Sequence, residues 1–157
     1  IALDNDQNRL ELSKEFGADI LINVNTEKDI ISKIQNITKT RGVDYVIEVT
    51  GNPNVIPDGI KFLRIGGSYI LLGAIYPGSK ITLDSSEILT KCLNISGMHN
   101  YAPIHLKNTI ELVQQSKEKY PYEKIVGPNF EFSKDGLEEA FNSLNSKDSL
   151  RPSITPN

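Results

Sequence analysis

Residues 43–53, VDYVIEVTGNP, decide the reading of the fold. Val43, Tyr45, Val46, Ile47 and Val49 make a strand-length run, and Thr50-Gly51-Asn52-Pro53 ends it in a cluster of turn residues. A strand with apolar side chains on both faces must be covered on both, which is the habit of parallel sheets flanked by helices. Glu48 is predicted to be buried within this run and to hydrogen-bond backbone or a neighbouring loop.

The same alternation extends in both directions. Upstream, Ile1–Leu3 reads as a strand and Asn5–Phe16 as a helix, with Leu10, Leu12 and Phe16 as its apolar side and Gly17 as its stop. Ile20–Ile22 reads as a second buried strand. Thr26 is expected to cap a helix that places Ile30, Ile31, Ile34 and Ile37 on one face. Downstream, a helix is expected over Asn54–Leu63, with Pro57 and Gly59 as residues that limit its length. Gly66-Gly67 is read as a turn into the strand SYILLG (68–73), followed by a short helix over Ser85–Lys91 and a fifth strand in LNISGM (93–98). Ile104–Lys119 reads as a long amphipathic helix. After Tyr120 the chain turns extended and proline-marked through YPYEKIVGPNFEF, then gives a helix over Gly136–Leu144 and a strand near Ser153–Thr155 that need not join the main sheet. Strand and helix in strict alternation point to an α/β fold with a parallel sheet.

Composition narrows the function. The 157 residues are one domain's worth of chain, 38% apolar and 24% charged, as in an ordinary globular protein. A net charge of −3 argues against nucleic-acid binding, which calls for a basic face. No apolar stretch approaches the ~18 residues of a membrane span, and no signal peptide is visible. The single cysteine, Cys92, excludes an internal disulfide and a multi-cysteine zinc site within these residues. The expectation is a soluble, cytoplasmic protein.

Asp4 closes the first strand at the start of a helix, with Arg9 one turn onward. In doubly wound dinucleotide-binding folds, an acid at the end of the second strand hydrogen-bonds the adenosine ribose and repels the extra phosphate of NADP. The competing reading makes Asp4 a helix cap beside Asp6. Further motifs follow in fixed order: NRLELSKEFGADILINVN, RGVDYVIEVTGNP, FLRIGGSYILLGAI, LNISG and LEEAFNSLNSKDSLRPSIT. Together they resemble the medium-chain dehydrogenase/reductase superfamily, the zinc-type alcohol dehydrogenases, over essentially the whole chain.

The resemblance implies a fold and a cofactor. Asp4 would hold the adenosine ribose of NAD, and Arg9 would contact the same ribose or flank the adenine; a solvated helix face is the competing reading for Arg9. Val49, Thr50 and Gly51 would border the adenine pocket. Leu72, Gly73 and Ala74 would let backbone approach the nicotinamide end, while Met98 and Asn100 would present groups to the carboxamide. Arg151 would reach the pyrophosphate through its planar fork. His99 is read as a hydrogen-bonding or surface residue rather than a base, and Cys92 and His105 as structural. No catalytic residue and no metal ligand is assigned to these residues, since the zinc ligands of the parent enzyme would lie elsewhere.

The resemblance also implies that a first strand and a G-x-G-x-x-G turn precede Ile1, after an entire catalytic domain; GNPNVIPDG and RIGGS lack that spacing. The expected fold is therefore an incomplete doubly wound (Rossmann) sheet over residues 1–120, with residues 121–157 as a return segment that packs on the absent catalytic part. Strand order 3-2-1-4-5-6 would leave the first two strands without a neighbour joining them to VDYVIEV. The implied partners are that missing N-terminal part, a small alcohol or carbonyl substrate and, when complete, a second copy of the enzyme. Two alternatives stay open: a non-catalytic interaction module of the same fold, and a zinc-free quinone or enoyl reductase. The second of these usually prefers NADP and lacks an acid at the place of Asp4.

Overall fold

The computed structural model describes residues 1–73, 76–145 and 150–156. Strands and helices alternate along them: β1 (Ala2–Asp4), α1 (Gln7–Glu15), β2 (Leu21–Asn23), α2 (Ile30–Ile37), β3 (Val43–Glu48), α3 (Ile56–Phe62), β4 (Leu63–Leu71), α4 (Ser85–Thr90), β5 (Asn94–Gly97), α5 (Pro103–Ser116), β6 (Asn129–Glu131), α6 (Lys134–Asn145) and β7 (Ser153–Thr155). Among the described residues no helix is long and apolar enough to cross a membrane.

The strands form three separate sheets, β1-β2, β3-β4-β5 and β6-β7. Both ladders of the central sheet and the β6-β7 ladder run parallel. The break expected between the first two strands and VDYVIEV is therefore present: β3 is an edge of its sheet. The chain divides into two compact units, one of Leu3–Asp6 with Ile22–Ala102, the other of Ile1–Ala2, Gln7–Leu21 and Pro103–Asn157.

In the first of these units, the core forms where α3 lies on the central sheet. Ile56 and Ile60, one turn apart, bury against Leu63 and Tyr69, with Val43, Val46, Leu71 and Ile95 packed around them. Helix α3 begins after a 3₁₀ turn at Pro53–Val55, which Asn52 caps by accepting the Asn54 N–H at 3.0 Å. Pro57 falls in the first turn, where no amide is required; the helix is shorter than the expected 54–63 because residues 53–55 form the 3₁₀ turn and Leu63 already begins β4. Helix α2 is capped by Asp29, whose carboxylate accepts the Ser32 N–H at 2.9 Å. This corrects the expectation of Thr26, whose hydroxyl and N–H both go to the Asn23 carbonyl in the preceding turn.

Gly66-Gly67 does not turn into the fourth strand. It lies inside β4, which advances from Leu63 to Ser68 while β3 advances only from Val43 to Tyr45. The surplus is a bulge, with Gly66 at φ +70° and its N–H bonded to the Lys91 carbonyl at 2.7 Å. At this end of the sheet Asp44 receives Arg41 at 2.7 Å and Arg64 at 2.6 Å, which ties the start of β3 to the start of β4.

The other unit is held by aromatic contacts. Phe16, after α1, stacks on Tyr120 at 5.9 Å and meets Tyr122 edge-on at 5.7 Å, and Lys124 pairs with Glu15. Helix α5 ends at Ser116, short of the expected Lys119; the Ser116 carbonyl takes the N–H groups of Lys119 and Tyr120 in a closing turn. Its amphipathic pattern is real, but no residue of α5 is buried. Residues 153–155 pair with β6, Phe130 opposite Ile154.

Candidate functional site

The carboxyl ends of β3, β4 and β5 are bonded to one another at one end of the central sheet. The Glu48 carbonyl accepts the N–H of Leu72 at 2.9 Å and of Gly73 at 3.1 Å, and the Leu71 carbonyl accepts the N–H of Met98 at 3.0 Å. Six of the expected cofactor residues, Val49, Thr50, Gly51, Leu72, Gly73 and Met98, are thereby gathered at the place where open α/β sheets bind ligands. Val49, Thr50 and Met98 are exposed there, and Gly51, Leu72 and Gly73 half-buried.

Gly51 and Gly73 meet back to back. A Cβ on Gly73 would lie 2.6 Å from the Val49 carbonyl carbon and 2.8 Å from the Thr50 nitrogen, and one on Gly51 would lie 2.9 Å from the Gly73 oxygen. Gly51 also has φ +73°, a conformation other residues adopt only with strain. The two turns are in contact through bare backbone, with no room for a side chain between them.

Glu48 underlies this contact. Only 4% of it is exposed. Its Oε1 accepts the Thr50 N–H and the Thr50 hydroxyl, both at 2.6 Å, and the Gly51 N–H at 2.8 Å. The buried, hydrogen-bonded acid expected from the sequence is thus present, and its place under the turn is what the site reading missed. The available signal was an acid in an apolar strand two residues before Thr-Gly, the spacing at which a carboxylate reaches back to turn amides. Burial raises the Glu48 carboxyl, but the bonds that Thr50 and Gly51 donate to it outweigh this and hold the group below its ordinary value. Tyr69, buried in the core, is pushed up to about 12 by burial and secondarily by the charge of Glu48, so its phenol stays neutral.

Asp4 ends β1, half-buried, and its Oδ1 accepts the Asp6 N–H at 2.9 Å. The Asp4 carbonyl takes the Val24 N–H just beyond β2. The bond from Asp6 closes a turn ahead of α1, which starts at Gln7. Asn100 stands exposed after β5 at φ +58°. Arg9, half-buried on α1, and Arg151, exposed just before β7, belong to the other unit. Ala74 lies outside the described residues. His99, His105 and Cys92 are exposed.

These residues fit a dinucleotide: strand-end turns of bare glycine backbone for close approach, and an acid at a strand end for a ribose. Among the described residues no group of three or more His, Cys, Asp or Glu side chains is placed to hold a metal.

Comparison with known proteins agrees with the fold. Residues 1–115 match the family model described as zinc-binding dehydrogenase. The chain is 35% identical over 99 residues to the L-threonine 3-dehydrogenase of Symbiobacterium thermophilum, covering 62% of this chain and 27% of that protein. It is 32% identical over 160 aligned positions to the erythritol/L-threitol dehydrogenase of Mycolicibacterium smegmatis, covering 99% of this chain and 41% of the relative. Among solved structures, benzyl alcohol dehydrogenase from Acinetobacter calcoaceticus superposes with a TM-score of 0.85 at 28% identity, over 99% of this chain and 42% of that one. The chain thus spans well under half the length of these proteins. The parallel Rossmann-like sheet, the gathered strand ends and the family match over residues 1–115 place this chain in the zinc-binding dehydrogenase family of the medium-chain dehydrogenase/reductase superfamily, as its C-terminal dinucleotide-binding part.

Proposed function

We propose that this chain is the cofactor-binding portion of an NAD-dependent, zinc-type alcohol dehydrogenase-like oxidoreductase, inactive without an N-terminal catalytic part. The observation that carries the reading is the Gly51–Gly73 contact at the strand ends, in a chain whose first strand closes on Asp4. Bound NAD would supply the hydride acceptor for an alcohol carbon. The chain's own residues would bind and orient it. The Asp4 carboxylate accepts from the adenosine ribose, and Arg9 is assigned to the same ribose or the adenine. Thr50 and Gly51 border the adenine, and Gly73, Met98 and Asn100 offer main-chain groups at the nicotinamide end. Arg151 is assigned to the pyrophosphate, Val49 to the adenine border with Thr50 and Gly51, and Leu72 to flanking Gly73.

The zinc of the parent enzyme, its ligands and the small alcohol or carbonyl substrate would belong to the N-terminal part. Support for such a part comes from β3, which lies at a sheet edge and exposes Tyr45, Ile47 and Val49 along one face. Parallel strands are ordinarily covered on both faces. The proposal assigns the cover to a preceding strand and helix, and assigns residues 121–157 to packing on the catalytic part. The complete protein is proposed to be a cytoplasmic homo-oligomer. An acid at Asp4 weighs against the NADP-preferring, zinc-free reductases.

NAD titration by calorimetry, on this chain and again with the N-terminal part supplied, tests the reading. Binding that appears or strengthens on completion is expected. Its absence in both cases would overturn the proposal in favour of an interaction module.

A further inference from the structure

Glu48 is the buried charged residue among the described residues, and it collects five hydrogen bonds from two turns. Oε1 takes the N–H and hydroxyl of Thr50 and the N–H of Gly51. The main-chain carbonyl takes the N–H of Leu72 and of Gly73. These donors flank the Gly51–Gly73 contact from both sides. The order passes one residue further, because the Thr50 hydroxyl accepts the Asn52 N–H at 3.0 Å while donating to Glu48.

The other carboxylate oxygen, Oε2, is buried without a hydrogen-bond partner. A buried orphan acceptor lowers stability, and a leucine would fill much of the same volume without it. What the acid supplies and a leucine does not is a set of short, charge-assisted bonds that fix a three-residue turn.

We propose that Glu48 is a positioning residue for dinucleotide binding: its side chain and its carbonyl together hold the Thr50–Gly51 turn and the Leu72–Gly73 turn at the spacing in which both backbones meet the ligand. The inference rests on the reading of this crevice as the NAD site. Glu48 touches no ligand itself and acts through Thr50 and Gly51. Its side-chain bonds lie on the adenosine side, so their loss weakens any ligand that carries ADP-ribose.

The test compares wild type with Glu48→Gln and Thr50→Val, in the chain completed by its N-terminal part if NAD binding requires it. NAD and ADP-ribose affinities are measured by calorimetry, and amide exchange is followed at Thr50, Gly51 and, as a control in the core, Tyr69. Glu48→Gln should weaken NAD and ADP-ribose by the same factor, roughly tenfold for the loss of charge-assisted bonds. Exchange at Thr50 and Gly51 should quicken by a similar factor and stay unchanged at Tyr69. Thr50→Val, which removes only the hydroxyl, should shift both readouts the same way by a smaller factor; this variant decides the matter if Glu48→Gln fails to fold. Unchanged exchange at Thr50 and Gly51 overturns the proposal. So does faster exchange with undiminished affinity, which would make Glu48 a brace of the fold alone, or a loss confined to NAD with ADP-ribose unaffected. If wild type binds no NAD in either form, the cofactor reading falls and the proposal with it, a result seen before any variant is made.

Discussion

A carboxylate at the end of a strand accepts from a ribose with two hydroxyls and repels one that carries a phosphate. Asp4→Ser in the completed protein should therefore loosen the preference for NAD over NADP, read as a ratio of dissociation constants that falls by at least tenfold; an unchanged ratio removes Asp4 from the site. Gly73 tests the crevice by volume. An alanine there meets the Val49 and Thr50 backbone at 2.6 and 2.8 Å, so the two turns must part. Urea melts of Gly73→Ala should show a loss of about 1–3 kcal/mol from overpacking. Gly97→Ala, whose new methyl meets nothing within 4 Å, should stay within about 0.5 kcal/mol of wild type. Asp44 gives the pH dependence. Hydrogen bonds from Arg41 and then Arg64 lower its carboxyl from 3.8 to about 2. A depressed acid stabilises the fold above its unfolded value, and the effect is lost as pH falls through the folded one. Stability should therefore drop between about pH 4 and pH 2 in urea melts, modestly because the pair is solvent-screened, and Asp44→Asn should flatten that part of the profile.

Local chemistry explains which elements were legible in the sequence. The existence and order of most strands and helices followed from apolar periodicity, because side-chain alternation and burial are set within a few residues; β6, within the stretch read only as extended, did not. Helix caps were less so. Thr26 and Asp29 both precede the apolar run, and only the backbone path shows that Thr26 is taken up by the Asn23 turn while Asp29 reaches the Ser32 amide. Asp29→Ala should cost about 1 kcal/mol, whereas Thr26→Ala should cost less, as thermal melts of the two variants will show. The bulge at Gly66 was read as a turn because two glycines announce a bend without saying whether pairing resumes on the same strand. In the site, Asp4 and the glycine turns were legible as strand ends. The bracing role of Glu48 was not, since the Leu72–Gly73 turn that shares its bonds lies more than twenty positions further along the chain.

For the molecule as a whole, three separate sheets among the described residues replace the single one that this family's fold implies. A parallel strand inserted beside β3 would pair its open edge, and a helix over Tyr45, Ile47 and Val49 would remove exposed apolar surface from water. The chain alone should accordingly unfold over a broad, low-midpoint range in urea. Adding the N-terminal part at a hundredfold its dissociation constant should raise stability by about 2.7 kcal/mol; a sharp, high-midpoint transition of the isolated monomer would count against this. The open margin of β3 does not discriminate among visitors. A sheet edge next to exposed tyrosine, isoleucine and valine is also a template on which identical molecules can stack edge to edge. Purified in isolation, the protein should cloud or form higher-order species as its concentration rises, and a lysine placed at Ile47 should keep it clear by making each such encounter bring like charges together.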